Sequence, residues 1–170
     1  MTLSPYARRL AVTLLLALSA ANLTLMVPGG PVETRDFSAY SPLVLGAFNI
    51  FLTVLGIGSF VIAGLQIAGR IRAPGLAGLC GLGFLAVYVA DLAGIFPVSP
   101  VAMPPLLSLL EQLGTVLALL LIGAAILAGS ADPSRHGGTG AARLPLPLVL
   151  ALGVLAIAIV AFATRAAMGG

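Results

Sequence analysis

Two carboxylates set the chemical question for this chain. Asp91 and Glu111 each sit inside an apolar run, and the proline-rich turn PVSPVAMPP lies between them. An ionised group in the middle of a membrane helix costs roughly 2.5–3.5 kcal/mol on insertion scales, so such residues are rare and mark function or a paired network. Three kinds of chemistry are open to them. Sharing a proton, two carboxyls can activate a water molecule, as in aspartic proteases. Facing a pocket, they can bind a cation, a proton or an amine head group. Neutralised by a cation of the chain's own, they hold helices in register. Arg35 is the expected counter-charge, Tyr88 and Tyr40 the expected hydroxyls, and Asn22 and Asn49 the expected polar neighbours.

Other chemistries are excluded by composition. Cys80 is the only cysteine and His136 the only histidine of the 170 residues. One chain therefore has no disulfide, no paired-cysteine redox couple, no Cys/His zinc site and no bis-histidine haem. There is no lysine, hence no Gly-Lys phosphate loop. His136 sits among glycines in a loop expected on the other side of the membrane from Ser99 and Ser108, so no nucleophile–base pair is expected. No metal, cofactor or catalytic residue is assigned. The pI of 9.8 would raise nucleic acid as a partner, but the eight arginines are scattered singly or in pairs, and no nucleic acid is expected.

The elements that position Asp91 and Glu111 follow from hydropathy. Only 8% of residues are charged and the mean hydropathy is +1.18. Soluble domains carry about 25% charged residues, so this chain reads as an all-α membrane protein. Five spans are expected, at 10–27, 42–66, 74–96, 105–128 and 146–164. The first four form a core over residues 1–128, and the fifth is peripheral beyond a glycine-rich linker at 129–145. The first span could also be read as a signal peptide, with Arg8 and Arg9 before an apolar run. Helix 2 carries Gly46, Asn49, Thr53 and Gly56 on one stripe. Helix 3 carries Gly75, Gly78, Gly81 and Gly83, then Ala86, Ala90 and Gly94. Such small-residue stripes pack membrane helices closely. Cys80 reads as a small buried hydrophobe. The fifth span has no polar side chain before Thr164 and offers nothing to a polar site. The loop 28–41, PGGPVETRDFSAYS, reads either as a solvated connection or as a lid over the helix ends.

Arginines orient the spans. Arg8, Arg9, Arg70, Arg72, Arg135 and Arg143 fall on one side, and Arg35 and Arg165 on the other. The positive-inside rule then puts the N-terminus in the cytoplasm and the C-terminus outside. Richness in Ala, Gly, Pro and Arg points to a bacterial inner membrane. At about 1.5 Å per residue, Asn22, Asn49, Asp91 and Glu111 lie in one layer on the order of 7–10 Å below the outer surface. The inner halves hold no ionisable group except Cys80. A relay needs polar groups through the whole thickness, so a one-sided pocket is expected rather than a channel.

The leading expectation is an accessory or scaffold subunit of a larger membrane assembly, docking a protein partner or a second copy through the glycine stripes and helix 5. A binding or transport protein for a cation, a proton or a small amphiphile is the alternative. The layout is also similar to that of lipoprotein signal peptidases, through GAFN (Gly46 to Asn49), VAD (Val89 to Asp91) and acids near the outer ends of helices 3 and 4. That resemblance implies an intramembrane hydrolase. The chain departs from it in having Glu for the second Asp, no Gly-Asn…Asp-Arg signature and a fifth helix.

Overall fold

The computed structural model describes residues 4–130 and 144–169, and among them all regular secondary structure is helical. The five helices are α1 (Pro5–Leu25), α2 (Pro42–Ile67), α3 (Pro74–Leu92), α4 (Pro105–Ser130) and α5 (Leu146–Ala167). Each is long and apolar enough to cross a membrane. Most of the expected linker, with Arg135, His136 and Arg143, lies outside the described residues.

Prolines open the first four helices at Pro5, Pro42, Pro74 and Pro105. The first helical position suits proline because its N–H would have no partner there. Ser4 and Ser41 cap α1 and α2, accepting from Ala7 N at 3.2 Å and from Val44 N at 3.3 Å. The Ser4 cap corrects the expected start of the first helix, which begins at Pro5 rather than residue 10. The apolar run marks where lipid begins, whereas the cap marks where backbone hydrogen bonding begins. Arg8 and Arg9 are therefore helical.

Helix α3 ends at Leu92, four residues short of the expected 96. Gly94 adopts φ +63°, which glycine tolerates without steric cost. Gly94 N donates to Asp91 O at 2.9 Å and Ile95 N to Ala90 O at 2.8 Å. This pair of bonds is a Schellman stop. It places Asp91 in the last turn of α3, so the residue sits nearer the helix end than the common layer expected for it.

The core is built from α1 to α4. Val12, Leu16, Phe84, Leu107 and Leu121 fill its centre, each almost fully buried. Helices α3 and α4 pack closely at Gly81, where an added Cβ would lie 2.9 Å from Ile122 Cγ1 and 3.5 Å from Ala118 O. Helix α1 packs against both α2 and α4, and α5 packs on α2. Only Ala163 and Ala167 of α5 are buried, so the fifth helix is peripheral. The outward faces are apolar, with Leu43, Val54, Leu79, Leu109 and Ile157 all exposed, as lipid contact requires.

The two ends of the bundle differ in charge. Arg9 Nη2 donates to Gln66 O, tying the start of α1 to the end of α2, with Arg70 and Arg72 following close behind. Arg35 and Arg165 lie at the opposite end.

Candidate functional site

The loop 28–41 is not a solvated connection. Along Glu33–Ser38 the side chains alternate, with Glu33, Arg35 and Phe37 buried and Thr34, Asp36 and Ser38 exposed. Alternate residues of an extended chain face opposite ways, so a single segment can send three side chains into the bundle mouth. The loop is tied down on several sides. Phe37 N donates to Ala167 O of α5 at 3.0 Å. Ser99 Oγ donates to Asp36 O at 2.7 Å, and Val98 N donates to the Tyr40 hydroxyl at 2.9 Å. The Phe96 ring meets Tyr40 and Phe48 edge to face, at 5.3 and 4.9 Å. At Gly29, with φ +80°, an added Cβ would sit 2.5 Å from Ala166 Cβ, so a side chain there would push the loop off α5.

Arg35 is the centre of the mouth. Its Nη1 and Nη2 donate to Asp91 Oδ1 and Oδ2 at 2.8 and 2.6 Å, a fork-to-fork pair. Nε donates to Glu33 Oε1 at 3.0 Å, and Nη2 also donates to Glu33 Oε2 at 2.6 Å. The backbone N of Arg35 adds a bond to Glu33 Oε1 at 3.0 Å. The Phe37 ring lies 5.1 Å from the guanidinium carbon. Charge-assisted bidentate bonds of this kind are about twice as strong as neutral ones and fix orientation as well. Burial works against the guanidinium's charge, but the hydrogen bonds it donates to Asp91 and Glu33, with their negative charges, outweigh it and raise its pKa above the usual arginine value. The clamp also answers a local problem. A carboxylate in the last turn of a helix faces the negative end of the dipole, and Arg35 supplies the positive charge that Asp91 needs there.

Glu111 completes the cluster from α4. Its Oε1 lies 4.0 Å from Arg35 Nη2, beyond hydrogen-bond distance. Its Oε2 is buried without a hydrogen-bond partner. Three carboxyl groups thus share one guanidinium. Beside them lies a cavity of about 50 Å³, bordered by Glu33, Asp91, Glu111, Asn49 and Tyr88 and by apolar side chains such as Leu23 and Phe48.

Below the cluster, Asn22 Nδ2 donates to Leu110 O at 3.0 Å and to the Tyr88 hydroxyl at 3.3 Å. This joins α1, α3 and α4. The join is possible because position 114 is glycine. An added Cβ would lie 2.6 Å from Tyr88 Cζ and 2.7 Å from Asn22 Nδ2.

The expected residues Asp91, Glu111, Arg35, Asn22 and Tyr88 are therefore gathered, and Asn49 borders the cavity. Two details differ from expectation. The Tyr40 hydroxyl serves Val98 rather than a carboxylate. Helix α5 does contribute, since Asn49 Nδ2 donates to Thr164 Oγ1 at 3.1 Å and Ala167 O holds the loop. Glu33 and Gly114 were not among the expected site residues. The inward–outward alternation of residues 33–38 could have found Glu33. The i, i+3 spacing of Glu111 and Gly114 on one helix face could have found the second.

Among the described residues, no three His, Cys, Asp or Glu side chains converge as a metal site. Residues 8–139 match the family described as Domain of unknown function (DUF8051), and the chain belongs to that family. No curated protein and no solved structure is significantly similar to it.

Proposed function

We propose that this member of the DUF8051 family is a non-catalytic integral membrane protein, an accessory or scaffold subunit of a larger assembly in a bacterial inner membrane. The observation that carries the reading is the clamp of Arg35 on Asp91 and Glu33. A carboxyl pair that activates water needs both members turned to it, one to take its proton and the other to share a proton with the first. Here Asp91 is engaged by a guanidinium at both oxygens, and the loop that carries the guanidinium covers the mouth. The arrangement holds the bundle closed rather than opening it to a substrate.

The accessory role is supported by α5, whose exposed face is apolar and carries Gly153, where an added Cβ meets nothing in the chain. Gly78, Gly81 and Gly114 are used inside the bundle, whereas Gly58, Gly64 and Gly123 are as open as Gly153 and add to the surface a partner could meet. Clustering of Arg8, Arg9, Arg70 and Arg72 at one end supports a cytoplasmic N-terminus.

The test is to purify the full chain from its native membrane at native abundance, beside Gly153→Leu. A stoichiometric partner, or a second copy, that is lost in Gly153→Leu while the fold is retained supports the reading. A monomer in both samples sinks it. Processing of a lipoprotein precursor by the wild-type chain, absent in Asp91→Asn, would replace it with the hydrolase reading.

A further inference from the structure

The cluster at the mouth is short of donors. Arg35 spends its bonds on Glu33 and Asp91. What remains is Glu111, 3% exposed, with Oε2 unpartnered and Oε1 4.0 Å from Arg35 Nη2. Two ionised carboxylates are both acceptors and cannot satisfy each other. Three ionised carboxyls and one guanidinium would leave two negative charges uncompensated in a buried cluster, which calls for further positive charge, as a proton on a carboxyl or a bound cation.

The cavity beside Glu111 decides what such a cation would be. Phe37, Phe48 and Tyr88 border it together with Glu111, Asp91 and Asn49. Aromatic faces beside a carboxylate suit an organic cation, through attraction to the ring quadrupole. The unpartnered oxygen asks for an N–H donor, which a primary ammonium has and a quaternary ammonium lacks. A desolvated metal ion would need several oxygen ligands, and the oxygens of Glu33 and Asp91 are already engaged by Arg35. A water needs about 10–15 Å³ of such space, so about 50 Å³ admits only a few heavy atoms.

We propose that this cavity is a binding site for a small primary ammonium group, with Glu111 as its acceptor and the aromatic rings around its short alkyl part. The guanidinium of Arg35 is the resident example of the same chemistry, a planar organic cation held by carboxylates with Phe37 beside it. The inference rests on the cavity alone and does not require the protein to join an assembly.

The experiment titrates the full-length protein in nanodiscs with methylammonium, tetramethylammonium or sodium chloride at constant ionic strength, reading calorimetric heat and thermal midpoint. Saturable methylammonium binding is expected, about tenfold or more tighter than tetramethylammonium or sodium, as one charge-assisted hydrogen bond implies. Glu111→Gln should weaken methylammonium binding by about tenfold or more. Equal effects of the three salts, or no saturable binding, overturn the proposal and leave only a proton in the cluster. If Glu111→Gln fails to accumulate, the ion selectivity of the wild-type protein decides alone. None of these outcomes bears on whether a partner co-purifies, so the assembly reading stands or falls separately.

Discussion

The two ends of the bundle solve the same problem with different means. Each places an arginine against buried polar groups. At the end that holds the start of α1, called the inner end for its arginines, Arg9 is on a helix and reaches the carbonyl of Gln66 in the last turn of α2, which also accepts from Gly69 N at 3.1 Å. Thr13 Oγ1 adds bonds to Arg9 O at 2.9 Å and to Gln66 Oε1 at 3.0 Å. At the outer end, Arg35 is on a loop and reaches carboxylates on its own segment and on α3. The inner contact uses backbone groups that every helix end possesses. The outer contact needs three particular side chains in register. The difference teaches where specificity has been placed. The inner end closes two helices. The outer end closes the whole mouth and leaves a carboxyl oxygen over.

The contrast can be broken first at Arg35. Arg35→Leu leaves Asp91 and Glu33 buried without their cation, and a loss of about 3–5 kcal/mol is expected. Thermal or denaturant unfolding of the full chain in a bilayer mimic measures it. Arg9→Leu, tested alongside, should cost no more than about 1 kcal/mol, since the Gln66 carbonyl can turn to water or headgroups. Equal losses would abolish the distinction between the ends. Adding Asp91→Leu to Arg35→Leu should restore part of the stability, because the second change removes one of the unpaired charges.

Next comes Gly114→Ala. The methyl must displace Tyr88 and Asn22, both in a packed layer, so about 1–3 kcal/mol is expected. Gly123→Ala, at a position where an added Cβ meets nothing, should be close to neutral. If the two glycines respond alike, the close approach at Gly114 does not organise the site.

Smaller effects separate the two polar layers. Asn22→Ala removes the bonds to Tyr88 and Leu110, and about 0.6–1.7 kcal/mol is expected, as measured for polar contacts between membrane helices. Thr13→Val removes only the bonds at the inner end, and about 0.6 kcal/mol or less is expected. Unfolding midpoints compared in the same bilayer mimic test the order. A larger loss for Thr13→Val would reverse the assignment of the outer layer as the one that joins three helices.

Much of the site was legible before any coordinates. Asp91 and Glu111 stood out because an acid in an apolar run is costly, and their partners were few in so uncharged a chain. Arg35 followed as one of two arginines on the same side. Glu33 escaped because it lies in a loop, where a charge costs nothing to expose and so carries no signal of burial. Gly114 escaped because one glycine among 21 shows nothing of which neighbour approaches it. The end of α3 escaped because the apolar run continues past Leu92 through Ile95 and Phe96, while the Gly94 turn depends on backbone geometry rather than hydropathy.

By itself, then, the sequence determined five membrane-length helices, a peripheral fifth helix and a gathering of polar residues toward one end of the bundle. These follow from transfer free energy, which each segment carries regardless of its neighbours. Only the tertiary structure decided that the 28–41 loop folds inward, that Arg35 takes Asp91 and Glu33 rather than Glu111, and that Gly114 seats Tyr88 and Asn22. Arg35 Nη2 lies 2.6 Å from Asp91 Oδ2 and 4.0 Å from Glu111 Oε1, and neither composition nor periodicity encodes such a difference between segments far apart in the chain.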